Sequence, residues 1–350
     1  MSAFLSSIGL PELVAGIMML ALNAYVLMGG ADFGGGVWDL LARGPRRDAQ
    51  RALVASAIGP IWEANHVWLI VVIVLLFTGF PDAFAVLGVV LHVPLSLMLV
   101  GIVLRGSAFA FRSYGAPAHA AQRRWGRVFA IASLVTPVLL GVSVGAIASG
   151  AVGEAATRIP ISATARQATF VTLYVAPWLA PFPLAVGAMA LALFAFLAAV
   201  YLILAAHDVA LREDFRRRAL GAAAAVLVTA FVALLLAHRQ APAVGQALTG
   251  ARWAFPFQCA TAVAAIAAFS ALWTRRHAVA RVAAAAQVSL VLWGWALVQY
   301  PLLLPPSSTI RSVAAPRITL ELLLWGLAGG SAILLPSLAY LFRTFARARD

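Results

Sequence analysis

The chain has 350 residues, 63% of them hydrophobic and only 11% charged, with a mean hydropathy of +0.96. A soluble domain of this length requires far more polar surface, so the expected class is an all-α polytopic integral membrane protein with the bilayer as its solvent. The formal net charge of +13 comes from arginines in short loops, with no basic and aromatic platform, which argues against nucleic acid as a partner.

The N-terminal stretch MSAFLSSIGLPELVAG has neither the basic n-region nor the small-residue cleavage site of a secretory signal. The first apolar segment is therefore expected to remain as a span. Nine segments are long enough to cross: 9–30, 53–77, 82–105, 125–149, 182–206, 218–238, 253–274, 282–304 and 318–342. They form a single membrane domain, 1–350. Of the 25 basic residues, 19 fall after spans 1, 3, 5 and 7 or in the C-terminal tail, and 6 fall elsewhere. The positive-inside rule then puts the N-terminus outside and the C-terminus in the cytoplasm. The same arginines attract anionic lipid. The segment 150–181 reads as a long external loop, with Trp178 and Tyr174 suited to anchor at the interface. GIMMLALNAY at 16–25 echoes GAMALALFAF at 187–196 and suggests a two-fold internal repeat. Cys259 is the single cysteine, so no intrachain disulfide and no Cys-rich metal framework can form.

Polar residues inside the spans are the informative ones. GGADFGGG, residues 29–36, closes span 1 at its cytoplasmic end. Its five glycines let helices approach closely and let the backbone leave a regular helix, with Asp32 at the mouth. They do not make a nucleotide loop, since no strand precedes them and the lysine is absent. Span 2 carries GPIWEANHVWLI, residues 59–70. Glu63 lies about 18 Å into that span, near the middle of a core about 30 Å thick. An acid at that depth costs about 2.5–3.5 kcal/mol. Glu63 and His66 share a helix face, and Trp62 and Trp68 sit too deep for interfacial anchors.

Three readings compete for this cluster. The polar groups, Asn65 above all, can be hydrogen-bonding glue between helices. They can belong to a metal site, since Glu63-x-x-His66 is the di-iron spacing, but no second such motif exists. A bis-histidine haem would need His66 and His92 to face each other. Third, Glu63 and His66 can pass protons through water, with Asp32 at the cytoplasmic entry. Other polar sites read as local: a kink at Pro94 beside His92, Arg105 as a snorkelling anchor ending span 3, Glu321 within reach of Arg317, and 207–218 as a solvated loop.

YVLMGGADFGGGVWDLL (25–41), GPIWEANHVWLI (59–70), LFTGFPDAFA (76–85), RGSAFAFR (105–112), TPVLLGVSVG (136–145) and LPPSST (304–309) together resemble subunit II of cytochrome bd-type quinol oxidases. The resemblance runs in order over most of the chain and is weakest at 150–180 and 210–280. It implies nine spans arranged as two four-helix bundles plus one peripheral helix. It also implies a heterodimer in the bacterial cytoplasmic membrane with a subunit I that carries haems b and d and the quinol site. That complex oxidises quinol, reduces O2 to water and takes its protons from the cytoplasm. No catalytic residue, metal or cofactor is then expected in this chain, which supports subunit I and is a candidate proton conduit. The resemblance carries Asp32, Glu63 and His66 over as candidate proton-path residues, with Trp62, Asn65 and Trp68 as supporting donors. Some family members have an acid four residues before Asp32, where this chain has Met28, so the cytoplasmic entry is left open. A small accessory subunit is also left open. The rivals are a proton-coupled secondary transporter with Glu63 and His66 as coupling site, which calls for paired broken helices, and a purely structural membrane subunit.

Overall fold

A computed structural model of the chain describes residues 9–58, 62–114, 119–162 and 169–347; side chains at 31, 58, 62–64, 112–114, 119–123, 159–162 and 341–347 fall outside that description. Helix α1 (Leu10–Leu40) starts with Pro11 in its first turn, where a missing N–H costs nothing. Next come α2 (Arg47–Ile58) and α3 (Trp62–Gly79). At Phe80 the chain bends by 115° into α4 (Pro81–Val90). Then follow α5 (His92–Tyr114), α6 (His119–Ala148), α7 (Ala151–Ser162) and α8 (Phe170–Tyr174). The second half holds α9 (Pro181–Ala205), α10 (Val209–Gln240), α11 (Pro242–Gly250), α12 (Ala254–Trp273) and α13 (His277–Gln299). A two-stranded antiparallel hairpin, β1 (Leu302–Leu304) and β2 (Ser308–Thr309), leads to α14 (Arg317–Arg347).

Among the described residues, eight helices are long and apolar enough to cross a membrane, or nine if the bent pair α3–α4 is one span. The chain is thus an all-α polytopic membrane protein. Several boundaries differ from the expected ones. Span 1 does not end at the glycines: α1 runs unbroken through GGADFGGG. The segment 82–105 is divided, because Pro81 starts α4 and a new helix begins at His92. Pro94 sits in the first turn of α5, and the break at Leu91 falls beside the Val90 carbonyl to which Pro94 has no N–H to donate. The segment 150–181 is largely helical rather than a loop, and 209–218 is the first turns of α10, capped by the Asp208 carboxylate at 2.7 Å from the Ala210 N–H.

Helix α9 is the centre. It packs on α1 and α6 on one side and on α10 and α13 on the other, and every residue from Ala192 to Val200 is buried. A helix apolar all round is one that is enclosed all round. The two echo segments therefore lie in neighbouring helices, α1 and α9, that join the halves. Glycine makes the joint possible: a Cβ on Gly34 would sit 2.0 Å from the Phe194 carbonyl oxygen, and one on Gly30 2.5 Å from Leu197 Cδ1. Trp38 adds a hydrogen bond across the same seam, its indole N–H donating to the Ala195 carbonyl at 2.8 Å. Helix α14 rests on α3 and α1 and is otherwise almost wholly unburied.

Candidate functional site

The site grows from α1. Its glycines let three helices close around Asp32: Gly30 and Gly34 face α9, Gly36 faces Ser133 of α6, and Gly29 faces Asn65 of α3. Asp32 is fully buried and Arg105, from the middle of α5, is 2% exposed. Arg105 Nη1 donates to Asp32 Oδ2 at 2.8 Å, and Nη2 donates to both Oδ1 and the Asp32 backbone carbonyl, the latter at 3.0 Å. Its Nε donates to Ser133 Oγ at 3.1 Å, and that hydroxyl donates to the Phe129 carbonyl at 2.7 Å. The guanidinium is also flanked by the rings of Phe33 and Phe129, at 4.8 and 5.0 Å from their centroids. Such a bidentate, doubly stacked arrangement is one that arginine forms and lysine cannot. Removing one partner of a buried pair costs about 3–5 kcal/mol, because the other charge is left alone.

Asn65 reaches this pair from α3. It is fully buried, and its Nδ2 donates to Asp32 Oδ2 at 3.5 Å. His66 is half-buried, with its ring edge-on to Phe33 at 6.5 Å between centroids. Trp68 packs against the main core. Asn65 Oδ1, Trp68 Nε1 and, on α1, Asn23 Oδ1 are buried with no hydrogen-bond partner among the described residues. The side chains of Trp62 and Glu63 lie outside the described residues; their backbones form the first turn of α3.

Asp32, Asn65 and His66 are thus brought together, and His92 is not. His92 is at the start of α5, beyond the bend, where its ring Nδ1 lies 2.8 Å from the Val89 carbonyl oxygen and its ring is edge-on to Tyr174 at 5.1 Å. His66 is about 20 Å back along α3 from that bend, at about 1.5 Å per residue. The two histidines do not face each other as a haem pair requires. Among the described residues no group of three or more metal-ligating side chains forms.

Two expectations are corrected here. Asp32 does not stand at a mouth, since it lies inside an unbroken helix with no exposed surface. Arg105 does not snorkel from a helix end. It is about 20 Å into α5, because that helix begins at His92 and not at 82. The partnership itself was missed for this reason, and the available signal was an arginine and an aspartate both set in apolar text.

A second, solvent-facing lattice ties the halves together. Arg46 donates to Asp214 at 2.8 and 2.6 Å, Gln50 to Asp214 at 2.9 Å, and Arg218 to Gln50 at 2.7 Å while lying over Trp38 and Phe215. At the other end of the spans Arg311 pairs with Glu12, and the Ala315 N–H donates to the Gly79 carbonyl at 2.8 Å, holding the bend. Arg317 donates to Glu321 at 2.7 Å, as their spacing allows. Arg46 and Arg311, in segments between spans, are held above their ordinary pKa first by these hydrogen bonds, to Asp214 and Glu12. Both charges are therefore constant at any working pH.

Buried polar groups of this kind, set within a helical membrane fold, define a membrane protein with a polar interior in its first half and a packed apolar one in its second. The chain belongs to the cytochrome bd terminal oxidase subunit II family, whose sequence profile it matches over residues 10–345. It is 31% identical over 119 residues, 34% of each chain, to the cytochrome bd ubiquinol oxidase subunit 2 of Bacillus subtilis. It is 29% identical over 109 residues, 30% of this chain and 27% of the other, to the cytochrome bd-I ubiquinol oxidase subunit 2 of Escherichia coli. These stretches span about a third or less of the relatives' own length. The solved bd oxidase from Geobacillus thermodenitrificans shares the fold, with a TM-score of 0.77, 20% identity, and coverage of 96% of this chain and 98% of that one.

Proposed function

We propose that this chain is the haem-free second subunit of a quinol oxidase in the bacterial cytoplasmic membrane. It packs against a subunit I that holds haems b and d and the quinol site, and it lies beside the route of cytoplasmic protons. The family match over 10–345 carries this reading. The complex transfers electrons from two quinols to one O2, which takes up four protons and leaves as two waters. No residue of this chain touches the reacting oxygen; its own work is scaffold and proton supply.

The residues of α3 are the candidates for that supply. Glu63 stands in the first turn, with His66 less than one turn on. The partnerless Asn65 Oδ1 and Trp68 Nε1 are atoms that hold water when buried. A carboxyl, an imidazole and water between them pass protons by short hydrogen-bonded steps. The transporter alternative finds no matching pair of broken helices. The one bent pair among the described residues is in the first half, and α9, α10, α12 and α13 run unbroken.

The test is Glu63→Gln in the purified complex. Assembly and haem content are retained while quinol-driven O2 uptake falls roughly tenfold or more. Wild-type turnover in a fully assembled variant contradicts the proton route. A wild-type preparation with no quinol-dependent uptake contradicts the oxidase reading itself.

A further inference from the structure

Asp32 and Arg105 are the acid and the base most deeply enclosed among the described residues, and the proton route above leaves their state undecided. We infer that Asp32 is a positioning residue, not a proton-exchanging entry group, and that Arg105 is its fixed countercharge. The pair sets the place of Asn65 and so of the polar segment of α3.

The chemistry of the donors decides this. Both Asp32 oxygens accept from guanidinium N–H groups, and Oδ2 also faces the Asn65 amide N–H2. A proton on either oxygen would compete with a guanidinium N–H that the same oxygen accepts. It would also leave a guanidinium, which cannot give up its own proton, unbalanced in an apolar interior. Among the described residues the pair is enclosed: the rings of Phe33 and Phe129 cover the guanidinium, α1 is unbroken, and Leu197 and Phe194 of α9 close the glycine face. Among the described residues the titratable groups around Asp32 are Arg105 from α5, Tyr25 on α1 and, beside Asn65 on α3, His66. Among the same residues the approach from α6 is Ser133 and Phe129, and from α9 it is aliphatic and aromatic; neither brings a charge.

Geometry then gives the positioning. One carboxylate binds three elements at once: its own helix α1, α5 through the fork of Arg105, and α3 through Asn65, while Ser133 joins α6 to the same guanidinium. Gly29, where a Cβ would stand 3.2 Å from Asn65 Nδ2, is the space that lets the amide in. The position of the α3 residues next to Asn65 is thus fixed by a charge pair 73 residues apart in sequence.

The test uses Asp32→Asn, Arg105→Gln and the double variant, in the complex extracted from membranes. Unfolding is followed by intrinsic tryptophan fluorescence, and turnover by quinol-driven O2 uptake across pH. Both single variants unfold at a lower temperature. The double variant is more stable than Arg105→Gln. If neither single variant accumulates in membranes, accumulation of the double variant alone supports the pair. A double variant no better than the worse single one overturns it. The pH profile of turnover in Asp32→Asn keeps the wild-type shape at a lower level; loss of one ionisation from that profile overturns the assignment. This inference rests on the proposed function for the turnover arm alone. The stability coupling is read without it, and failure of Glu63→Gln leaves that coupling untouched.

Discussion

The two halves of the chain share a helical plan but differ in what they bury. Among the described residues the buried polar side chains before residue 150 are Asp32, Asp39, Gln50, Asn65, Arg105, Ser133, Thr136 and Ser143; after it they are Gln287 and Gln299. Helix α9 of the second half buries apolar side chains from Ala192 to Ile203, whereas α1 of the first half carries a buried ion pair on the face turned to α5. Desolvating a charge is expensive and desolvating an alkyl group is favourable. Among the described residues the buried charges fall in the first half alone, each beside an opposite charge. The second half reads as the packing surface on which that polar half is held in register.

This contrast can be broken at its joint. Gly34→Ala puts a Cβ 2.0 Å from a backbone carbonyl that cannot move aside without shifting α9. Overpacking of this kind costs about 1–3 kcal/mol or more, so the variant accumulates poorly and unfolds at a lower temperature in detergent, measured by fluorescence. Trp38→Phe keeps the ring and removes the 2.8 Å bond to the Ala195 carbonyl. A loss of about 1 kcal/mol in stability is expected, read from the same unfolding curve. Gly221 sharpens the contrast from the other side: it lies in α10 with open space around its Cβ position. Gly221→Ala is therefore tolerated and gains about 0.5–1 kcal/mol from helix propensity. Asp214→Asn removes the charge and one of the two oxygens that accept from Arg46 and Gln50 at the exposed lattice. Its effect is the smallest, and it fades as salt is raised from low to physiological ionic strength, because exposed charges are screened.

The class was legible because hydropathy is a property of each residue in place. Boundaries were not, where one apolar element follows another. Helix α4 is as apolar as the span it was joined to, so only Gly79 and Pro81 mark the 115° bend. That one misplaced boundary carried Arg105 to a helix end and hid its partner. Asp32, Asn65 and His66 were each recognisable as polar residues in an apolar setting, but their meeting depends on the order in which α1, α3, α5 and α6 pack. The order is set by glycines at 29, 30, 34 and 36, whose effect is visible only once the opposing helix is known. The pairing of Glu321 with Arg317 was legible from spacing, since i and i+4 on one helix need no tertiary information.

The most direct test of the central claim is to isolate the tagged chain gently from its own membranes and record a reduced-minus-oxidised spectrum with quinol-driven O2 uptake. The account predicts a second large membrane protein in the preparation, haem b and d bands that stay with that protein when the two are separated, and oxidase activity in the intact complex. A chain that purifies alone, colourless and inactive, or that keeps the haem bands by itself, would contradict it.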